Sequence, residues 1–88
     1  MNRPEITIYV ANWCGYCQRA KQLLLAKNLR FNEINVEDDA KFRAEMVARS
    51  KAHTVPQIFI GERHIGGCDK LVALDRSGEL DRLLNQGA

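Results

Sequence analysis

The run Glu5-Ile6-Thr7-Ile8-Tyr9-Val10, followed after Ala11-Asn12-Trp13 by Cys14-Gly15-Tyr16-Cys17, decides how this chain folds. Its first six residues are β-branched, aromatic and nearly continuous in apolar character, the pattern of a central strand covered on both faces. The stretch from Gly15 to about Asn28 is rich in helix formers. Ala20, Leu23, Leu24 and Leu29 recur at helical spacing, opposite Arg19, Lys21, Gln22 and Lys27. Cys14 and Cys17 therefore stand where a strand hands over to a helix. A thiol placed there faces free backbone N–H groups and the positive end of the helix dipole, and both favour the thiolate. The thiolate is the nucleophilic form. The spacing sets the second sulfur one turn on, within reach of the first for making and breaking a disulfide.

Working outward, Phe31 to Val36 reads as a second strand with Ile34 and Val36 on one face. Asp38 or Asp39 offers an N-cap for a helix to about Ser50, in which Phe42 and Met46 read as core. A strand, helix, strand order of this length implies a right-handed crossover and a parallel pair. After Pro56, Gln57-Ile58-Phe59-Ile60 and Arg63-His64-Ile65 flank Gly61-Glu62, where glycine at the first central position signals a type II′ hairpin. Gly66-Gly67 leads into a last helix from Cys68 or Asp69 to Asn85, with Gly78 loosening or breaking it partway. The order β-α-β-α-β-β-α is the thioredoxin-like arrangement. The expected fold is thus α/β, a four-stranded mixed sheet flanked by three helices, in one domain spanning residues 1–88.

Thirteen basic and eleven acidic residues leave a net charge of +2, too little to imply a nucleic-acid partner. No apolar stretch reaches membrane-spanning length. Met1-Asn2-Arg3-Pro4 runs into the first strand without a signal-peptide core, so a cytoplasmic location is expected. Three cysteines are an odd count that does not suggest a disulfide framework. Cys14 and Cys17 also permit a zinc reading, with His64 and Cys68 completing the ligand set. Against it, His64 belongs to a hairpin and the first pair opens a long helix. His53, beside Thr54, is either an ordinary loop residue or, when protonated, a stabiliser of the Cys14 thiolate. Trp13 is either a hydrophobic lip of the site or packed against the second helix.

Cys14-x-Tyr16-Cys17 after a strand, Arg49-Ser50, Thr54-Val55-Pro56-Gln57-Ile58-Phe59-Ile60, His64-Ile65-Gly66-Gly67-Cys68-Asp69 and Leu74-Asp75 together resemble the glutaredoxin family. The likeness is nearest to its bacterial glutaredoxin 3 type and runs nearly end to end. It implies a glutathione-dependent thiol-disulfide oxidoreductase, serving electron transport and redox homeostasis, with Cys14 as nucleophile and Cys17 as resolving thiol. It implies further that Tyr16, Arg43, Thr54, Val55, Pro56, Gly67, Cys68 and Asp69 bind glutathione. In that reading Pro56 holds a cis peptide, helix N–H groups at Cys68 and Asp69 receive the γ-glutamyl carboxylate, the Asp69 carboxylate meets the glutathione ammonium, and Arg43 meets the glycyl carboxylate. The implied partners are glutathione and disulfide-bonded or glutathionylated proteins, met by a monomer without a metal.

Three positions depart from the family pattern. Gly15 replaces a common proline, Ala11 replaces a lysine found in many members, and Trp13 precedes the nucleophile. The missing lysine removes a charge-assisted contact worth roughly 1.5 to 3 kcal/mol. Gly15 is the sequence support for an alternative, a homodimer holding a [2Fe-2S] cluster through Cys14 and glutathione. Trp13-Cys14-Gly15 supports another, a thioredoxin-like reductant fed by a flavoprotein reductase.

Overall fold

A computed structural model describes residues 4–86 of the 88-residue chain. Its elements are β1 (Ile6–Val10), α1 (Gly15–Ala26), β2 (Asn32–Asn35), α2 (Ala40–Ser50), β3 (Gln57–Ile60), β4 (Arg63–Gly66), α3 (Cys68–Arg76) and α4 (Glu79–Gln86). The sheet order is β2-β1-β3-β4. The α1 crossover makes β1 and β2 parallel, with Tyr9 opposite Ile34. β3 runs antiparallel to β1, with Ile8 opposite Ile58, and β4 antiparallel to β3.

Strand alternation divides the core in two. Ile6, Ile8, Val10, Ile58 and Ile60 share one cluster with Ala20 and Leu24 of α1, Leu71 of α3 and Leu80 and Leu84 of α4. Tyr9 and Phe59 point the other way and pack with Val36 and with Met46 of α2. β1 is buried along its whole length, as its uninterrupted apolar character predicts. Asp39 caps α2, its carboxylate accepting from the Lys41 N–H at 2.9 Å. Gly61 takes the only positive φ of the Gly61-Glu62 turn, +59°, as a type II′ hairpin requires.

The expected third helix is two helices, so the sheet carries four instead of three. Gly78 adopts φ +82°, a conformation that L side chains rarely take, and it ends α3. The Ser77 hydroxyl bridges the break, donating to the Leu74 carbonyl at 3.0 Å and accepting from the Glu79 N–H at 3.3 Å. Lys27 ties α1 to both pieces through Asp75 at 2.8 Å and Asp81 at 3.2 Å. Phe42 also differs from expectation. Met46 is fully buried, but Phe42 stays half-buried with the Lys41 ammonium over its ring. No helix among the described residues is long and apolar enough to cross a membrane.

Candidate active site

β1 delivers the chain to Cys14 in extended conformation, φ −112° and ψ 106°, and α1 starts at the next residue. Cys14 is the N-cap. Its Sγ accepts the Cys17 N–H at 3.2 Å, and its carbonyl accepts the Gln18 N–H at 3.1 Å as the first helical bond. Sulfur thus does what a serine or aspartate oxygen does at an ordinary N-cap. Negative charge on that sulfur is met by an aimed donor and by the positive end of the helix. Cys14 is half-buried and reachable, whereas Cys17 is 1% exposed. Burial first, and then the hydrogen bond with Cys14, push the Cys17 thiol up to about 12. Two sulfurs on one helical turn are therefore chemically unlike, one presented to solvent and one held as a buried thiol.

A groove of about 400 Å³ lies beside them, between Thr54-Val55-Pro56 on one side and Gly67-Cys68-Asp69 on the other, with Tyr16 at the rim. The Val55–Pro56 bond is cis, and the Val55 carbonyl oxygen stands 4.0 Å from Cys14 Sγ. Gly67 is the N-cap of α3, and no side chain caps that helix end. Its first-turn N–H groups border the groove beside Asp69 without a competing side-chain acceptor. A Cβ on Gly67 would sit 3.5 Å from the Pro56 carbonyl, an ordinary contact, so its consequence is the open cap. Gly66 is different. At φ +122° it needs glycine, and a Cβ there would meet Lys70 Cγ at 2.9 Å.

Among the residues singled out from sequence, the groove gathers Tyr16, Thr54, Val55, Pro56, Gly67, Cys68 and Asp69. Arg43 is not among them; it is exposed on α2 and does not line this groove. Cys68 is buried and its thiol is pushed up, first by burial and then by the Asp69 charge, so it offers the groove a backbone N–H more readily than a nucleophile. His53 is exposed. The zinc set is not assembled: among the described residues no three His, Cys, Asp or Glu side chains are grouped as metal ligands. Ala11, at the position of the family's lysine, is half-buried against the Tyr9 and Met46 cluster.

Trp13 is fully exposed, so it is not packed on α2, and it does not line this groove. Its φ of +58° is uncommon for a bulky residue. The loop carrying it is pinned from β2 and the turn after it: Asn35 Nδ2 donates to Asn12 Oδ1 at 2.9 Å, and the Asn12 N–H donates to the Glu37 carboxylate. Sequence reasoning assigned no role to Gln57 or Lys70, which also line the groove, nor to Tyr9. Tyr9 is fully buried; its hydroxyl donates to the Glu45 carboxylate and accepts from Arg49 Nη1 at 2.9 Å, bolting α2 to the sheet.

The family model for glutaredoxin matches residues 6–65. Glutaredoxin 3 of Escherichia coli (strain K12) is 52% identical over 80 residues, covering 91% of this chain and 96% of that protein. The solution structure of a glutaredoxin from Brucella melitensis superposes with a TM-score of 0.85 at 48% identity, covering 100% of this chain and 96% of the other. A buckwheat glutaredoxin-glutathione complex superposes with a TM-score of 0.84 at 30% identity, covering 94% of this chain and 78% of the other.

Proposed function

The chain belongs to the glutaredoxin family and is by that membership a thiol-disulfide oxidoreductase, and from that premise we propose that it uses glutathione to reduce protein–glutathione mixed disulfides and protein disulfides. The observation that carries this reading is the asymmetry of the two sulfurs at the head of α1, set against a groove with open N–H donors. The buckwheat relative's structure in complex with glutathione supports glutathione as the occupant.

In the one-thiol route the Cys14 thiolate attacks the glutathione sulfur of a protein–S–S–glutathione bond. The protein leaves as a thiolate and takes a proton from water, and Cys14 is left bonded to glutathione. A second glutathione thiolate attacks the glutathione sulfur of that bond, which regenerates Cys14 and yields oxidised glutathione. The groove holds the tripeptide so that its sulfur faces Cys14. The Thr54 and Val55 backbone beside the groove supplies groups for strand-like pairing with it, and the α3 N-terminus receives a carboxylate.

The two-thiol route serves protein disulfides. Cys14 attacks one sulfur, and Cys17, after losing its proton, attacks Cys14 Sγ to release the reduced protein and leave a Cys14–Cys17 disulfide. Two glutathiones then reduce that disulfide. One helical turn separates the two residues, and the Cys17 thiol hydrogen-bonds with Cys14, which supports that attack.

The experiment is steady-state reduction of a glutathionylated peptide, with electrons supplied by glutathione and glutathione reductase in one arm and by thioredoxin reductase without glutathione in the other. Turnover in the first arm alone is expected. Cys14→Ser abolishes it, while Cys17→Ser keeps deglutathionylation and loses reduction of a protein disulfide. Turnover in the second arm alone would make the chain a thioredoxin-like reductant and overturn the proposal.

A further inference from the structure

On the α2 side of the sheet, the groove is tied to side chains that the sulfur chemistry does not use. Gln57 is 4% exposed, and its amide is engaged at both ends. Nε2 donates to the Thr54 carbonyl at 3.0 Å and to Thr54 Oγ1 at 3.3 Å. Oε1 lies 2.6 Å from His64 Nε2. Turning the amide over would set Oε1 against the Thr54 carbonyl, two acceptors face to face. The orientation is therefore fixed, and since Oε1 only accepts, the imidazole carries a proton on Nε2.

His64 is brought to this place by pairing opposite Phe59, which sets it on the face of the sheet that Gln57 shares two residues back along β3. Phe59 pairs with His64, but Ile58 pairs with Gly66, so Ile65 is an extra residue on β4. The imidazole rests on the Phe59 ring, centroids 5.0 Å apart, and the Arg49 guanidinium lies 4.1 Å from that ring's centroid. Thr54 and Gln57 line the groove and His64 does not. Between Thr54 and Gln57 lies Val55, whose carbonyl is 4.0 Å from Cys14 Sγ.

We infer that His64 is a positioning residue: through the Gln57 amide it holds the Thr54–Val55 wall of the groove against Cys14, and so sets the preference for disulfides that carry glutathione over those that do not. Without the His64 donor, the buried Gln57 oxygen is left unpaired, a cost that turning the amide relieves only by releasing Thr54. The specificity half of the inference rests on the glutathione reading above; the positioning half does not.

The test uses His64→Phe, which keeps a ring on Phe59 and removes the donor, and His64→Gln, whose amide N–H stands in for Nε2–H. Kinetics are measured on a glutathionylated peptide and on a disulfide-linked peptide dimer free of glutathione, with dithiothreitol as reductant for the dimer. In parallel, NMR follows solvent exchange of the Gln57 side-chain amide protons with no substrate present. His64→Phe is expected to raise KM for the glutathionylated peptide about fivefold to tenfold, the worth of one hydrogen bond, with kcat and the dimer rate unchanged. His64→Gln returns KM to within about twofold of the parent. Faster Gln57 amide exchange in His64→Phe, reversed in His64→Gln, supports the positioning half. Unchanged exchange overturns it, and equal loss on both substrates overturns the specificity half. If the parent fails on the glutathionylated peptide, the glutathione reading falls and takes the specificity half with it, while the exchange data still decide whether His64 holds the wall.

Discussion

Alkylation of the reduced protein separates the two active-site thiols by a margin that the structure sets. A thiol titrating at 9.0 is about 1% thiolate at pH 7, whereas one pushed up to about 12 is about 0.001% thiolate, a thousandfold deficit in the reactive form. Cys17 should therefore react with iodoacetamide at least about a thousandfold more slowly in the folded chain than in the same chain unfolded in urea, and its 1% exposure slows it further. Cys14, half-buried at the helix tip, is modified first. Time points quenched in acid and read by peptide mass spectrometry give both rates from one sample. The sign of the pH dependence follows from the raised value: Cys17 is neutral below it, so its rate climbs about tenfold per pH unit from 7 upward without a plateau short of about 12. Cys14→Ser removes the neighbouring sulfur's hydrogen bond and charge but leaves burial, the largest cause. In that variant Cys17 should react faster than in the parent and still more slowly than in the unfolded chain. Folded and unfolded rates within tenfold of each other, or a plateau near pH 9, would refute the reasoning.

Gly15→Pro should raise stability by about 0.4 to 1 kcal/mol, measured by urea unfolding. The position is the first of α1 and has no atom within 4 Å of an added Cβ, and Cys14 already has the extended conformation that a following proline demands. Gly67→Asp should supply the missing cap of α3, gaining a few tenths of a kcal/mol in stability while raising KM for a glutathionylated substrate, because the new carboxylate occupies the donors that the tripeptide needs. A gain in stability with unchanged KM would remove the α3 N-terminus from the binding site. Tyr9→Phe should cost about 1 kcal/mol in thermal or urea unfolding, since it deletes the hydroxyl shared by Glu45 and Arg49 but leaves both exposed enough to hydrate.

What the sequence disclosed is what local pattern can carry. β1 and α1 declare themselves by the switch from continuous to helical apolar spacing, and that switch alone places Cys14 at a helix cap, which is most of the redox chemistry. The break at Gly78 was legible as a glycine in a helical run, although not that the two halves would form separate helices. Residues whose role depends on contacts distant in the chain were opaque. Tyr9 reads as one more apolar strand residue, because its partners Glu45 and Arg49 lie 36 and 40 positions away on an element whose docking no periodicity specifies. Arg43 is exposed on α2 and does not line the groove, and a position in a family pattern does not by itself fix where a long side chain points. Gln57 and His64 were hidden more deeply. Each looks like a polar residue of a strand, and they meet only because β4 folds back on β3 with His64 opposite Phe59, on the face that Gln57 shares. Ile65, the extra residue on β4, follows His64 and adjoins Gly66 and Gly67, so it sits where the β4 chain turns into α3. The two walls of the groove therefore meet at the hairpin: one hangs from Gln57 and His64 and the other from the end of β4, and a change in the length of the Ile65 segment would move the Gly67–Asp69 wall relative to Cys14 while leaving His64 opposite Phe59.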